Sequence, residues 1–346
     1  KVRTEDLVSR YSTLNFLFPD NRRPVFGTNR QAATEEAAQA LADVFHLMVR
    51  RGIERPAAQR FVLQCMVTMF AEDVGLIPKD LFSEILSLCR ADGHAYDHIG
   101  GLFRQMDNPV PARGGRYKDV PYFNGGLFRG AEPVDLTSQE VAHLEEAAGK
   151  EWHQVNPAVF GALFQYSLGD AERHARGAHF TTESDILKVV HPTLVKPWRE
   201  RIQAATRLDE LLALRTALRE YQVLDPACGS GNFLYVTYRE LRRLEIELVL
   251  RIREVASGRT ARKLGMGNVS VRQFHGMDIL PFAVELAKVT LLIGKQLARE
   301  EVESALGTAQ GELGLDLDPA LPLESMDDNI RPVDALEADW PRADAI

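Results

Sequence analysis

One segment of the chain combines an acid and two glycines in a spacing that suits cofactor chemistry. Residues 223–233 read VLDPACGSGNF, in which a short apolar run ends at Asp225 and a turn with Gly229 and Gly231 follows. Glycine lets the backbone turn sharply and approach a ligand closely, because no Cβ stands in the way. The apolar residues after the turn recur at helical spacing. A strand, a glycine turn and a helix in this order predict a nucleotide-type cofactor site at the carboxyl ends of strands in an open α/β sheet.

Three kinds of cofactor site compete for this segment. A dinucleotide fingerprint requires a third glycine where Leu234 stands, and an acid about 20 residues further on. The next strand-end acid, Asp278, lies 47 residues after Gly231. A P-loop is excluded, because no Gly-Lys-Ser/Thr follows the glycines. The third kind of site binds S-adenosylmethionine.

The residues themselves carry a family resemblance. DPACGSGNFL at residues 225–234 resembles the first motif of the N6-adenine DNA methyltransferases. The resemblance implies an α/β fold, with a Rossmann-like class I S-adenosylmethionine-dependent methyltransferase sheet preceded by an all-α domain. It assigns a set of cofactor-binding residues to this segment: Asp225, Ala227, Gly229, Gly231 and Asn232. A dinucleotide-dependent oxidoreductase stays open as the rival interpretation.

A second candidate segment lies upstream, at residues 179–187, which read HFTTESDIL. Thr182, with Asp185 three residues later, predicts the capped start of a helix. Helix starts bind anions, and the cofactor carries a carboxylate on its methionine moiety. In the resembled family a Phe-Thr-Pro segment binds that carboxylate, so the resemblance assigns Phe180, Thr181 and Thr182 to it. Thr182 stands where proline is usual.

Two further acids are candidates for the nucleoside part of the cofactor. FHGMD at residues 274–278 predicts a second strand that ends at Asp278, whose carboxylate suits the ribose hydroxyls. Ile279 follows it and belongs to the same predicted site. For the adenine, the resemblance assigns Asp334 and Ala335, at the end of a third strand.

Of the three predicted strands, the third has the least support from the sequence. Pro332 is unusual in a central strand, because it cannot donate a hydrogen bond. Asp327 and Asp328 lie nearby in the sequence and are rivals of Asp334. Three carboxylates at successive strand ends would also compensate the positive sulfonium of the cofactor.

Methyl transfer to an aromatic amine depends chiefly on positioning a base that has been flipped out of the duplex. The resembled family does this with an Asn/Asp/Ser-Pro-Pro-aromatic motif, which does not occur in this sequence. Residues 343–346 resemble the opening of the strand that carries it. We therefore expect the motif beyond Ile346, assign no catalytic residue, and expect the fragment to be inactive alone. Cys228 lacks the Pro-Cys setting of a cytosine-C5 nucleophile.

The first 150 residues predict helices. Thr34 is a predicted helix cap, Pro56 and Pro78 are predicted first-turn prolines, and a further helix is expected near residues 97–105. No strand alternation occurs there. We therefore predict a helical N-terminal and linker domain at 1–150 and a methyltransferase core at 151–346.

Two motifs in the helical region extend the resemblance. MFAEDVGL at residues 69–76 and YFNGGLF at residues 122–128 resemble the linker of MmeI-like restriction–modification enzymes. The order of the motifs matches the gamma type and implies a type IIG restriction–modification or phage-defence methylase. The basic segment at 113–118, RGGRYK, suits either a phosphate contact or an ordinary solvated connection, and we favour the connection.

The composition and charge of the chain limit which binding partners and cellular locations it can have. The 346 residues carry a net charge of −8, and residues 301–346 hold twelve acids against two bases. We therefore expect double-stranded DNA to be bound mostly by regions outside this chain. No apolar run is long enough to span a membrane, and the N-terminus does not resemble a signal peptide. Three cysteines suggest neither disulfides nor a metal site, which favours a cytoplasmic protein.

The resemblance thus implies an S-adenosylmethionine-dependent DNA adenine-N6 methyltransferase of a restriction–modification or phage-defence system. One alternative is a methyltransferase that acts on cytosine N4, RNA or protein. Another is a non-catalytic S-adenosylmethionine-binding subunit of a defence complex, so other defence-system subunits are possible partners.

Overall fold

The computed structural model describes residues 27–123, 126–130, 134–152, 155, 157, 181–256, 269–306 and 326–346, without side chains for 27–35 and 300–306. Its α-helices are α1 Gly27–Arg50, α2 Arg55–Asp73, α3 Leu81–Asp92, α4 Ala95–Met106, α5 Ser138–Ala148, α6 Glu183–Val190, α7 Lys196–Ala204, α8 Leu208–Glu220, α9 Asn232–Val255 and α10 Pro281–Leu306. Its strands are β1 Val223–Asp225, β2 Phe274–Asp278 and β3 Ile330–Pro332. None of these helices is both long and apolar enough to cross a membrane.

Helices α1 to α5 pack around one apolar core, and the described residues between 27 and 152 include no strand. Pro56 lies in the first turn of α2, as predicted. The predicted cap at Thr34 is wrong, because α1 already begins at Gly27. The predicted start at Pro78 is also wrong. Asp80 has a left-handed backbone with φ 62°, which interrupts the helix, so α3 begins at Leu81.

The MFAEDVGL motif forms the tight connection between α2 and α3. Gly75 has φ +73°, and the N–H of Leu76 returns to the carbonyl of Ala71 at 2.8 Å. Glu72 Oε1 then accepts the N–H of Phe82 at 2.6 Å, which satisfies one of the unpaired donors in the first turn of α3. The side chain of Glu72 thus ties the end of one helix to the start of the next.

This position of Glu72 predicts a pH-dependent stability. Burial raises the pKa of its carboxyl from 4.5 to about 7, and nearby acids such as Asp80 add to the rise against the hydrogen bond from Phe82. The native state therefore holds the proton more tightly than the unfolded chain. The resulting stabilisation is fully present below pH 4.5 and is lost as the pH rises through about 7.

We expect Glu72→Gln to remove this dependence. Because the carboxyl is partly exposed, the free energy of unfolding of the parent chain should fall by only about 1–2 kcal/mol relative to the variant across that window. Urea unfolding of both proteins at several pH values measures the difference. Parallel pH profiles would contradict the prediction.

The YFNGGLF motif is held down by α2. Gln64 Nε2 donates to the carbonyl of Leu127 at 2.9 Å, and Arg60 donates to the carbonyl of Gly126 at 3.1 Å. Phe123 and Phe128 are buried in the helical core, as predicted for the apolar residues of this segment. In the basic segment at 113–118 the aromatic ring is anchored, since its hydroxyl donates to a carbonyl of α4, while the cations are exposed.

The described strands form a parallel sheet in the order β1-β2-β3. Asp225 pairs with Gly276, and Asp278 pairs with Pro332. On the other side of β1, Val223 makes a parallel bridge to Ala345. The segment predicted to open a further strand therefore lies beside β1. Pro332 is tolerated because β3 pairs only with β2 among the described strands.

Helix α10 contributes to two apolar cores. Its residues Val284, Ala287 and Leu291 belong to the core that surrounds the sheet, together with α6 to α9. On its other side, Phe282 and Leu286 pack into the core of α1 to α5. The division near residue 150 stays a prediction, and α10 packs against both the helical part and the sheet.

Candidate cofactor site

The turn after β1 is built on backbone hydrogen bonds to two strand-end acids. Asp225 Oδ1 accepts the N–H of Ala227 at 3.1 Å. The N–H of Cys228 donates to the carbonyl of Met277 at 2.9 Å. The N–H of Gly229 donates to Asp278 Oδ2 at 3.1 Å. The turn is therefore attached to the carboxyl end of the neighbouring strand, and the acids of β1 and β2 share one site.

The two glycines of the turn have different surroundings. Gly231 has φ +80°, and a Cβ there would lie 2.8 Å from the Cα of Ala287 in α10. Gly229 has φ +51°, and a Cβ there would meet nothing within 4 Å. Gly231 thus permits close packing of two helices, whereas Gly229 borders open space that a ligand can enter.

Helix α9 begins directly after this turn, at Asn232. Its first N–H groups have no partners within the helix, and the positive end of the helix dipole lies there. Asn232 is buried, yet its Oδ1 has no hydrogen-bond partner. A buried acceptor without a donor is uncommon, and a ligand that carries N–H or O–H groups would satisfy it.

Asp278 connects two turns at once. Besides the contact with Gly229, its Oδ1 accepts the N–H of Leu280 at 2.8 Å. Each carboxylate oxygen retains a second lone pair for a hydroxyl donor. Ile279 beside it is 60% exposed, so it offers an apolar surface next to the acid.

The site is electronegative. Burial raises the pKa of Asp225, and the charge of Asp278 raises it further, against the hydrogen bond from Ala227. Burial, with the charges of both acids, also raises the pKa of the Cys228 thiol well above its usual range. A neutral buried thiol is a poor nucleophile.

The third predicted acid follows β3. Asp334 is exposed, lies two residues beyond Pro332, and its Oδ1 accepts the N–H of Leu336 at 2.9 Å. Ala335 is partly exposed in the same turn. Since Pro332 pairs with Asp278, the turn lies at the same edge of the sheet as the other acids. Within the described part of the chain, no hydrogen bond joins Asp334 to the turn after β1.

The rival acids lie at the opposite edge. Asp327 and Asp328 precede β3, so they are at the amino end of the parallel strands. Asp327 accepts a hydrogen bond from Lys288 Nζ at 2.8 Å, in an ion pair that joins α10 to the start of β3. Of these three acids, only Asp334 lies at the carboxyl edge of the strands.

The upstream segment leads into α6. Thr182 caps this helix, since its Oγ1 accepts the N–H of Asp185 at 3.3 Å, as the spacing predicts. Thr181 is partly exposed just before the cap, and Phe180 lies outside the described residues. The first residue of α6, Glu183, forms an ion pair with Arg239 of α9. Through this pair the segment is connected to the helix that starts at the glycine turn.

One contributor to the site was missed on sequence grounds. A Cβ on Gly276 in β2 would lie 2.9 Å from Cys228 Sγ, so this glycine makes room for the turn. The signal was available, because a glycine inside a strand often marks a close approach of another backbone. Among the described residues no group of His, Cys, Asp and Glu side chains gathers in a way that would hold a metal ion.

Two parts of the chain match known families. Residues 201–345 match the family of the MmeI DNA-methyltransferase domain, and residues 56–128 match the family of the MmeI helicase spacer domain. The first match covers the strands and glycine turn described above, and the second covers α2 to α4 with the two linker motifs.

Individual relatives agree with these matches. The chain is 30% identical over 292 residues to DNA methyltransferase A of Bacillus subtilis (strain 168). This match covers 81% of this chain and 31% of the relative. It is 27% identical over 278 residues to a candidate type II restriction enzyme and methyltransferase of Methanocaldococcus jannaschii. That match covers 64% of this chain and 23% of that protein. The chain thus spans at most about a third of the length of these relatives.

A solved structure extends the similarity to the fold. The structure of the Type IIL restriction-modification enzyme MmeI in complex with DNA matches with a TM-score of 0.76 and 28% identity. The match covers 88% of this chain and 40% of that chain. It therefore includes the helical part as well as the sheet.

Proposed function

Because the chain contains the DNA-methyltransferase domain and the helicase spacer domain of the MmeI-like enzymes, we propose that it is the cofactor-binding part of an S-adenosylmethionine-dependent DNA methyltransferase of restriction–modification type. The observation that supports this most is the joint site of Asp225 and Asp278 around Gly229. An acid at each strand end, open space at the glycine and an unsatisfied acceptor at Asn232 suit an adenosyl cofactor with a positive sulfonium. The strand order, with residue 345 on one side of β1 and β2 on the other, suits the proposed Rossmann-like class I sheet.

The nucleoside end of the cofactor is assigned to the acids after β2 and β3. The free lone pairs of Asp278 would accept the ribose hydroxyls, and the exposed side chain of Ile279 would cover one face of the adenine. Asp334 and Ala335 would bind the adenine from the neighbouring turn.

The methionine end is assigned to the two helix starts. Phe180, Thr181 and Thr182 with the first N–H groups of α6 would bind the carboxylate. Asp225 and the turn from Ala227 to Asn232 would surround the sulfonium region. When bound, S-adenosylmethionine supplies a methyl group on a sulfonium, which an amine can attack in line.

For the substrate we propose adenine N6 in double-stranded DNA, with the base flipped out of the duplex. This choice is supported by the resemblance of residues 225–234 to the first motif of the N6-adenine enzymes. The base-positioning Asn-Pro-Pro-aromatic motif is expected after residue 346. The proposal would be replaced if the methylated target were cytosine N4, RNA or protein. It would also be replaced if the chain had a non-catalytic role within a defence complex. A cytoplasmic location belongs to the same proposal.

Calorimetry tests the cofactor assignment on the chain as it stands. We expect S-adenosylmethionine to bind at a single site and NAD not to bind. Binding of NAD instead would restore the oxidoreductase interpretation and overturn the proposal.

Sequencing of modified bases tests the substrate. The intact gene would be expressed in a host without its own DNA methylases, beside an Asp225→Ala control. N6-methyladenine at one recurring sequence, absent in the control, is the expected result. Methylcytosine at a recurring sequence would replace adenine as the target.

A further inference from the structure

We propose that the ion pair between Glu183 and Arg239 is a positioning device for the methionine end of the cofactor. The inference rests on the proposed function and names two residues that do not themselves belong to the predicted binding set. Glu183 is the first residue of α6, directly after the Thr181–Thr182 segment, and Arg239 belongs to α9, which starts at the glycine turn. The pair thus joins the two helix starts that would hold opposite sides of the methionine moiety.

Arg239 is unusual for a cation, since only 9% of the residue is exposed. Its guanidinium donates to Glu183 Oε1 and lies 3.5 Å from Glu240 Oε1. Its Nε is buried and has no hydrogen-bond partner. A buried charge needs close compensation, so Arg239 strongly favours the arrangement in which Glu183 is beside it.

The guanidinium also lies near the start of α9. Side chains of a helix slant toward its N-terminus, and the centre of the Arg239 guanidinium is 5.6 Å from the ring centroid of Tyr235, one turn earlier. Tyr235 itself donates its N–H to the carbonyl of Gly231 at 2.9 Å. The ion pair therefore lies within about one to two turns of the glycine turn.

This placement has a consequence for the cofactor. With Glu183 bound to Arg239, the start of α6 and its cap at Thr182 are fixed relative to the start of α9. Without the pair, the first turn of α6 would lose this attachment to α9 and be held through Ile186 and Val190 in the core. The acids at the strand ends would stay in place, because Asp225 and Asp278 are held by their own hydrogen bonds. Loss of the pair should weaken contacts to the carboxylate and leave contacts to the adenosine unchanged.

The chain offers a matched control on the same helix. Arg199 of α7 donates to Glu247 of α9 at 2.8 Å, so this ion pair also joins α9 to a neighbouring helix. It lies two turns beyond Arg239, further from the glycine turn. If the Glu183–Arg239 pair supported cofactor binding only by stabilising the fold, breaking the Arg199–Glu247 pair should weaken binding to the same extent.

The test compares two ligands with and without the methionine carboxylate: S-adenosylmethionine and 5′-methylthioadenosine. We expect Glu183→Gln to weaken S-adenosylmethionine binding about tenfold and to leave the Kd for 5′-methylthioadenosine unchanged. Glu247→Gln should leave both values unchanged.

Several results would overturn the inference. Equal weakening of both ligands by Glu183→Gln would show that the pair acts through general stability, and no weakening would show that it does not position the cofactor. If the parent chain binds neither ligand, it is the proposed function that fails. Melting temperatures of all variants, measured without ligand, separate loss of folding from loss of affinity.

Discussion

Replacing Asp278 with alanine is expected to weaken S-adenosylmethionine binding about 100-fold. The carboxylate accepts the N–H of Gly229 at 3.1 Å and of Leu280 at 2.8 Å, so it organises two turns before any ligand is bound. In the proposed complex it also accepts the ribose hydroxyls. Hydrogen bonds to a charged group contribute about 1.5–3 kcal/mol each, and a net loss of about 3 kcal/mol corresponds to a 100-fold change in Kd.

Calorimetry of the parent chain and the variant measures this difference. Asp328→Ala is the matched control, because this exposed acid precedes β3 at the opposite edge of the sheet. Asp278→Asn keeps one acceptor oxygen and should bind with intermediate affinity. If Asp328→Ala weakened binding as much as Asp278→Ala, the cofactor would not be bound at the carboxyl edge.

Much of the sheet region was predictable because its signals are local. The apolar runs that end at Asp225 and Asp278 predicted β1 and β2. The periodic apolar residues after Gly231 predicted α9. Each of these boundaries depends on a few adjacent residues whose chemistry is readable without partners.

The features that the sequence did not predict depend on contacts between residues that are distant in the chain. Arg242 and Glu245 of α9 are charged, yet both are buried and paired with each other. A charged residue on a helix predicts solvent exposure, and only the packing of other segments over α9 changes that. The pairing of Glu183 with Arg239 spans 56 residues and leaves no periodic signal.

The helical part shows the same limit. The prolines and apolar stripes located its helices approximately, but the start of α3 depends on the left-handed backbone of Asp80 and on the distant carboxylate of Glu72. The motif that contains Glu72 was recognised by resemblance alone. Its physical role as a helix connection became apparent only with the hydrogen bond to Phe82.

Replacing Gly231 with alanine is expected to destabilise the fold by about 3 kcal/mol. The added Cβ would lie 2.8 Å from the Cα of Ala287, 2.9 Å from its Cβ and 3.1 Å from its carbonyl oxygen. Backbone atoms of a packed helix cannot move aside easily, and overpacking costs about 1–3 kcal/mol. The left-handed φ of +80° adds about 1–2 kcal/mol for a residue with a Cβ. Thermal unfolding should show a decrease in Tm of about 6–12 °C.

Gly229→Ala separates the effect on stability from the effect on the cofactor. Its Cβ would meet nothing within 4 Å and the backbone has φ +51°, so the strain of about 1 kcal/mol should lower Tm by only a few degrees. The methyl group would instead enter the space proposed for the cofactor, and the Kd for S-adenosylmethionine should rise tenfold or more. Equal losses of stability in the two variants would show that helices α9 and α10 adjust around Gly231. An unchanged Kd in Gly229→Ala would mean that the cofactor does not approach the turn at Gly229, because a ligand in contact with that backbone cannot accommodate an added methyl group without a change in affinity.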